Sequence, residues 1–360
     1  MIFMKAWTLD STGAPLRLSE IGEPQLRAGG ALVQMLGVQI PAYTGALTVG
    51  GRGGIATPTV LGIGGIARVV EVADDVFNVR PGDLVVTTGF LLSGRSADPE
   101  EALLGWTGIG GRGRNSDTIT AMRRVWRDGT FAERAVLPAV TLVALPDGES
   151  YPEPARLAFL SWLSVAAGGI RRAGVRAGDR VAVIGASGQL GGAATLVALA
   201  SGAAQVVAVG RNVAALDRLV EHDRRVIAVA ALGRREADAA AITAAGGEVD
   251  VVVDALGAAP TAELTMAGFD ALRTDGTMVV MGGVREVLPV PYGELMRRRI
   301  TLRGSWMAPP STVLDVWRMV AGRTVDLGVL GVHTVGLEDP AAALELAAGS
   351  RGLDIVVLVP

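Results

Sequence analysis

The hydrophobic positions follow two unlike patterns, and the change between them comes near residue 179. Beyond it, wholly apolar runs alternate with segments of helical length. Val181-Ala182-Val183-Ile184 is followed by a glycine-rich turn and an Ala/Leu-rich stretch to about Ser201. Gln205-Val206-Val207-Ala208-Val209 precedes a helical stretch over 213–221, and Val226-Ile227-Ala228-Val229 precedes a segment over 235–245. Val251-Val252-Val253, a segment over 261–272 and a run over 277–281 complete the series. This alternation predicts a parallel sheet with helices on both faces. Strands apolar at every position agree, because a parallel sheet is covered on both sides.

The first 150 residues read differently. Short apolar runs are separated by turn chemistry: Ser11-Thr12-Gly13, Gly29-Gly30, Gly50-Gly51, Arg80-Pro81-Gly82-Asp83 and Pro146-Asp147-Gly148. Frequent turns without helical alternation predict a mainly antiparallel β unit. Residues 91–127 are irregular, with Gly105, Gly108, Gly110, Gly111 and Gly113, then a helix-like piece near 117–127. A loop longer than about 12–15 residues is typically a lid or a binding loop. The tail over 300–360 ends in an apolar run at 355–359, which is expected to add strands to the first unit.

Composition narrows the chemistry. The 360 residues suit two domains, and 50% hydrophobic against 19% charged residues allows a large core. Lys+Arg is 33 and Asp+Glu 36, a net charge of −3, so nothing points to a nucleic-acid or membrane-surface partner. The absence of cysteine excludes disulfides, thiolate nucleophiles, iron–sulfur clusters and Cys-ligated zinc. His222 and His333 are the only histidines and Lys5 the only lysine, which argues against a His-rich metal centre or a Schiff base. Both histidines are expected to be structural. Two charge-free stretches, 31–51 and 181–210, reach the roughly 20 residues of a membrane span. The first is interrupted by Gly37, Gln39, Pro41, Thr44 and Gly45, the second by the glycine-rich turn. Met1-Ile2-Phe3-Met4-Lys5 lacks the regions of a signal peptide, so a soluble cytoplasmic protein is expected.

The turn is Gly185-Ala186-Ser187-Gly188-Gln189-Leu190-Gly191, lying between a predicted strand and a predicted helix. Glycines there allow backbone N–H groups to approach a pyrophosphate, whose charge the helix N-terminus stabilises. About 20 residues on, an NAD site usually carries Asp or Glu for the ribose 2′-hydroxyl. This chain has Gly210-Arg211-Asn212 instead. A carboxylate repels a 2′-phosphate and a guanidinium pairs with it, so the expected cofactor is NADPH.

Further motifs accompany the turn in a fixed order. They are Leu61-Gly62-x-x-x-x-Ala67-Arg68-Val69-Val70-Glu71-Val72, Val79-Arg80-Pro81-Gly82-Asp83-Leu84-Val85 and Asp128-Gly129-Thr130-Phe131-Ala132-Glu133. Ala177-Gly178-Asp179-Arg180-Val181, Asp254-Ala255-Leu256-Gly257 and the stretch 276–283 follow. In these the chain resembles the medium-chain dehydrogenase/reductase superfamily over nearly its whole length. The resemblance implies an α/β protein: a doubly wound Rossmann sheet plus a mainly β, GroES-like catalytic domain. It places the catalytic domain at 1–152, the NADP-binding domain at 153–298, and a segment returning to the catalytic domain at 299–360. The active site would lie in the cleft. The strand ends at Asp254, Ala255, Leu256, Gly282 and Gly283 would flank the nicotinamide, as would Ser305. A homodimer is also implied.

Zinc members of the family place ligands where this chain reads Gln39-Ile40-Pro41-Ala42-Tyr43, Ile63-Gly64 and Leu160-Ser161, none a good zinc donor set. The four-cysteine lobe near 91–113 is likewise without cysteine. The resemblance is therefore to the zinc-free quinone and enoyl reductases. Without a Lewis acid, the suited substrate accepts hydride at carbon while charge delocalises onto oxygen, as a conjugated carbonyl or quinone does. A phenol ordinarily stays protonated at neutral pH, so Tyr43 is the leading donor to that oxygen and Thr44 the second. Trp106, Trp162 and Trp306 are candidates for a flat pocket, and Arg95 and Arg112 for an acidic substrate tail. Two readings stay open beside this one: metal-free reduction of a polarised C=O or C=N group, and an NADPH-binding protein without turnover.

Overall fold

In a computed structural model of the protein, which describes residues 3–51, 55–107 and 116–360, the apolar runs beyond residue 179 form one parallel sheet. Its strands are Arg180–Ile184, Gln205–Gly210, Val226–Ala230, Val249–Asp254, Leu272–Val280 and Thr301–Gly304. Numbered in chain order, they lie 3-2-1-4-5-6 across the sheet. The register pairs Val181 with Val206 on one side and with Val251 on the other. The order reverses at the first strand, so a crevice opens beyond the C-terminal ends of the first and fourth strands.

The sheet extends past residue 298, where the sequence places its end. Thr301 pairs with Thr277 and Gly304 with Val280. This edge strand is largely exposed and polar at alternate positions, so it lacks the continuous apolar run that marks its neighbours.

The N-terminal sheet is built on the long strand Gly30–Ile40, antiparallel to Gly65–Val72 and to Arg134–Pro138. The last strand, Asp354–Leu358, pairs antiparallel with the same strand, Val357 opposite Gln39, and parallel with Gly331–Val335. Turns act where the sequence marks them. At Arg80-Pro81-Gly82-Asp83, the Asp83 carboxylate accepts the Arg80 N–H at 2.8 Å and Gly82 takes φ 93°. Within the irregular region, Phe90–Leu92 pairs with Glu101–Leu103. Asp117–Val125 forms a helix capped by Ser116, whose hydroxyl accepts the Ile119 N–H at 3.0 Å. Gly108, Gly110, Gly111, Arg112 and Gly113 lie outside the described residues.

Between the two sheets runs the helix Leu160–Ala173, which buries Leu160, Leu163, Ala166, Ala167 and Ile170. It stops at Gly174, whose left-handed backbone (φ 74°) lets its N–H return to Ile170 and Arg171 carbonyls. One apolar core contains Leu157 and Leu163, Val181 and Val253 of the parallel sheet, and Val86, Ile355 and Val357 of the other. The two units therefore share a core. Among the described residues no helix is long and apolar enough to cross a membrane.

Candidate active site

A cavity of about 800 Å³ lies at the sheet's crevice, with the glycine turn, Arg211, Tyr43 and three tryptophans in its wall. The turn is shaped by close approach. Gly185 has φ 85° and its carbonyl accepts the Gly188 N–H at 2.9 Å. A Cβ on Gly191 would stand 2.1 Å from that carbonyl oxygen, so only glycine fits where helix and strand meet. The helix Gln189–Ala200 has no side-chain cap and no acid in its first turn. Its leading N–H groups therefore face the crevice without a competing anion, a cradle that suits a pyrophosphate.

The predicted residues divide. Gly185, Ser187, Gly188, Gln189 and Leu190 line the cavity; Ala186 and Gly191 lie behind it. Ala186 is fully buried and donates its N–H to Val209, so its role is to hold the turn against the second strand. Gly210, Arg211 and Asn212 line the cavity where the second strand ends. The Asn212 side chain accepts the Ala215 N–H at 3.1 Å and caps the next helix. Arg211 is exposed, and no carboxylate partners it among the described residues.

At the other strand ends, Ala255, Leu256, Gly282 and Ser305 reach the cavity, whereas Asp254 and Gly283 do not. Asp254 is a positioning group. Its carboxylate accepts the Leu256 N–H at 3.0 Å and the Thr265 hydroxyl at 2.7 Å, which fixes the loop on which Leu256 sits. Burial pushes its carboxyl above the usual carboxylate range, against those two hydrogen bonds. Gly283 donates to the Leu256 carbonyl at 2.8 Å and stabilises the same loop. The Ser305 hydroxyl is buried on the cavity wall with no hydrogen-bond partner among the described residues. An orphaned polar atom in this position suits a bound polar group.

The aromatic residues gather. Tyr43 meets Trp106 edge-on at 5.9 Å and Trp162 at 6.4 Å, and Trp306 meets Phe90 at 5.6 Å. A recess of about 90 Å³ continues from Tyr43, Trp106 and Trp162 to Ile63, Gly64 and Ser161. Thr44 is a correction. It is fully buried off the cavity, and its hydroxyl donates to the Pro41 carbonyl at 2.6 Å, so its proton is held by the turn that presents Tyr43. Arg95 also lies off the cavity, on an exposed loop, and Arg112 is outside the described residues. His222 ends a helix and His333 sits on a strand, both away from the cavity.

The recess occupies the place where the resemblance sets a metal, and its donors are poor. The Ser161 and Ser164 hydroxyls donate to the carbonyls of Ala158 and Ser161 at 3.2 and 2.6 Å. Gln39 lines neither the cavity nor the recess, and both its amide atoms are buried without partners among the described residues. No group of three His, Cys, Asp or Glu residues is brought together among the described residues. Sequence reasoning missed Val165, Met281, Met307, Ser350 and Arg351, which also line the cavity. The first three are apolar and carry no motif. Ser350 and Arg351 come from a loop more than 130 residues beyond Arg211, so only the fold brings them here.

Comparison with known proteins agrees with the fold. Residues 29–147 match the alcohol dehydrogenase GroES-like domain family, and residues 190–322 match the zinc-binding dehydrogenase family. Sorbitol dehydrogenase of Bos taurus is 27% identical over 304 residues, covering 84% of this chain and 81% of the relative. D-xylulose reductase A of Aspergillus niger is 29% identical over 239 residues, covering 64% of this chain and 63% of the relative. Among solved structures, a Sinorhizobium meliloti 1021 protein bound to NADP and called a zinc-binding dehydrogenase superposes with a TM-score of 0.81. It is 20% identical and covers 100% of both chains. A cobalt- and zinc-bound alcohol dehydrogenase of Pyrobaculum aerophilum gives a TM-score of 0.76 at 20% identity, again over 100% of both chains. With both domain families matched in sequence order, and the sheet order and glycine turn in place, the chain belongs to the medium-chain dehydrogenase/reductase superfamily of oxidoreductases.

Proposed function

We propose that this protein is a zinc-independent, NADPH-dependent reductase of flat conjugated carbonyl compounds or quinones. The observation that carries the reading is the make-up of one cavity: a phosphate-type turn and Arg211 beside an aromatic chamber whose described residues offer no metal donor set. When bound, the nicotinamide supplies the hydride. The turn amides and helix N-terminus would hold the pyrophosphate, and the Arg211 guanidinium the 2′-phosphate. Trp106, Trp162 and Trp306 exclude water and align a planar guest. The Tyr43 hydroxyl donates to the substrate oxygen as negative charge gathers there, and solvent restores its proton.

The test is NADPH oxidation by the purified protein with enones, quinones, enoyl thioesters, imines and ketoses. Turnover fastest with conjugated carbonyls or quinones, unchanged by a chelator, is expected. A tightly held metal, stoichiometric and required for turnover, would overturn zinc independence. The names of the curated relatives favour a second reading, interconversion of a polyol and a ketose. Its mark would be turnover with xylulose, or with sorbitol and oxidised cofactor, and none with enones. Tight NADPH binding without oxidation across the panel would identify a binding protein. We also propose a homodimer, formed through the exposed edge strand Thr301–Gly304 and tested by sedimentation.

A further inference from the structure

We infer that Arg351 is the second half of a two-arginine site for the nucleotide's 2′-phosphate, reaching it from the C-terminal loop as Arg211 reaches it from the strand end. The inference rests on the NADPH reading and adds a residue no motif marks. Arg351 lies between the helix Pro340–Gly349 and the strand Asp354–Leu358. That loop is seated on the glycine turn. The Gly352 N–H donates to the Ser187 carbonyl at 2.9 Å, and the Gln189 side-chain amide donates to the Asp354 carbonyl at 3.1 Å. The seat leaves no slack, since a Cβ on Gly352 would stand 2.9 Å from that of Ala215. Ser187 also touches the second strand's end: its hydroxyl oxygen lies 3.5 Å from the Asn212 nitrogen. Arg211 and Arg351, each one residue from these contacts, thus border the same stretch of cavity.

Charge supports the pairing. Among the described residues lining the cavity, Arg211 and Arg351 are the only charged ones, and no carboxylate accompanies them. The neighbouring Asp354 carboxylate is taken by Arg218. One Arg351 nitrogen, Nη1, donates to the Ala348 and Ser350 carbonyls, each at 2.6 Å, which anchors the side chain at its helix end. Nε and Nη2 make no hydrogen bond to the described residues, and they provide the forked face that suits a phosphate. Two like charges held near each other without a counter-ion are expected to bind a dianion.

The experiment is calorimetric titration of the full chain with NADPH, NADH, 2′,5′-ADP and 5′-AMP, for the wild type, R211Q, R351Q and R351E. Each Gln variant is expected to weaken NADPH and 2′,5′-ADP about tenfold or more, leaving NADH and 5′-AMP within about twofold. R351E is expected to weaken the phosphorylated pair further, and each variant to flatten the salt dependence of NADPH binding. Unchanged 2′,5′-ADP affinity in R351Q and R351E would overturn the inference alone. Equal losses for 5′-AMP and 2′,5′-ADP would also overturn it, by placing the guanidinium elsewhere on the nucleotide. A wild type that binds neither dinucleotide, or binds NADH as tightly as NADPH, would instead overturn the underlying cofactor reading and the inference with it.

Discussion

Tyr43 owes its place to a short helix over Thr44–Thr48, whose entry turn is closed by the Thr44 hydroxyl on Pro41. If its hydroxyl supplies the donor, Tyr43→Phe lowers the turnover number at least about tenfold while NADPH affinity stays unchanged. Steady-state kinetics beside a binding titration would separate the two. At Gly191 the argument is steric. Gly191→Ala puts a methyl 2.1 Å from the Gly185 carbonyl oxygen, and the strand–helix junction must open. A stability loss of more than about 2 kcal/mol in urea unfolding, with weakened NADPH binding, is expected. Single residues were unevenly legible. Glycines and Arg211 carry position in their chemistry, whereas Thr44 and Tyr43 are adjacent and only the turn geometry decides which faces the cavity.

The segment from Asp254 to Gly283 joins two strand ends through the Leu256 backbone, held by the buried Asp254 carboxylate. Burial raises this carboxyl above its unfolded value, so the folded state binds the proton more tightly. The contribution to stability is therefore greatest below the ordinary carboxylate range and declines as pH rises through that range toward the raised folded value. Melting temperatures measured between about pH 4 and 8 are expected to decline less with rising pH in Asp254→Asn than in the wild type. Equal slopes would show that other groups set the dependence. Elements buried on both faces, such as Val249–Asp254, announce themselves as apolar runs. Thr301–Gly304 and Glu101–Leu103 do not, since short edge strands lean on neighbours for burial and show little of it in sequence.

Across the whole molecule, the two sheets share one core, and hydrogen bonds close parts of the chain distant in sequence. The Trp7 indole donates to Leu337 at 2.8 Å and the Trp317 indole to Pro146 at 2.9 Å. Calorimetry is therefore expected to record a single unfolding transition, raised by saturating NADPH by about 2–3 kcal/mol at a hundredfold excess over Kd. Two resolved transitions would mean that the shared core does not couple the units. The alternation of apolar runs and helical segments, with the glycine turn, determined the doubly wound sheet from sequence alone, because backbone hydrogen bonding and burial act over a few residues at a time. The closing of the cavity was decided only in three dimensions. Val357 lies beside Gln39 and Gly352 against Ser187 because strands pair and loops seat across the chain, and no local pattern encodes contacts more than 150 residues apart.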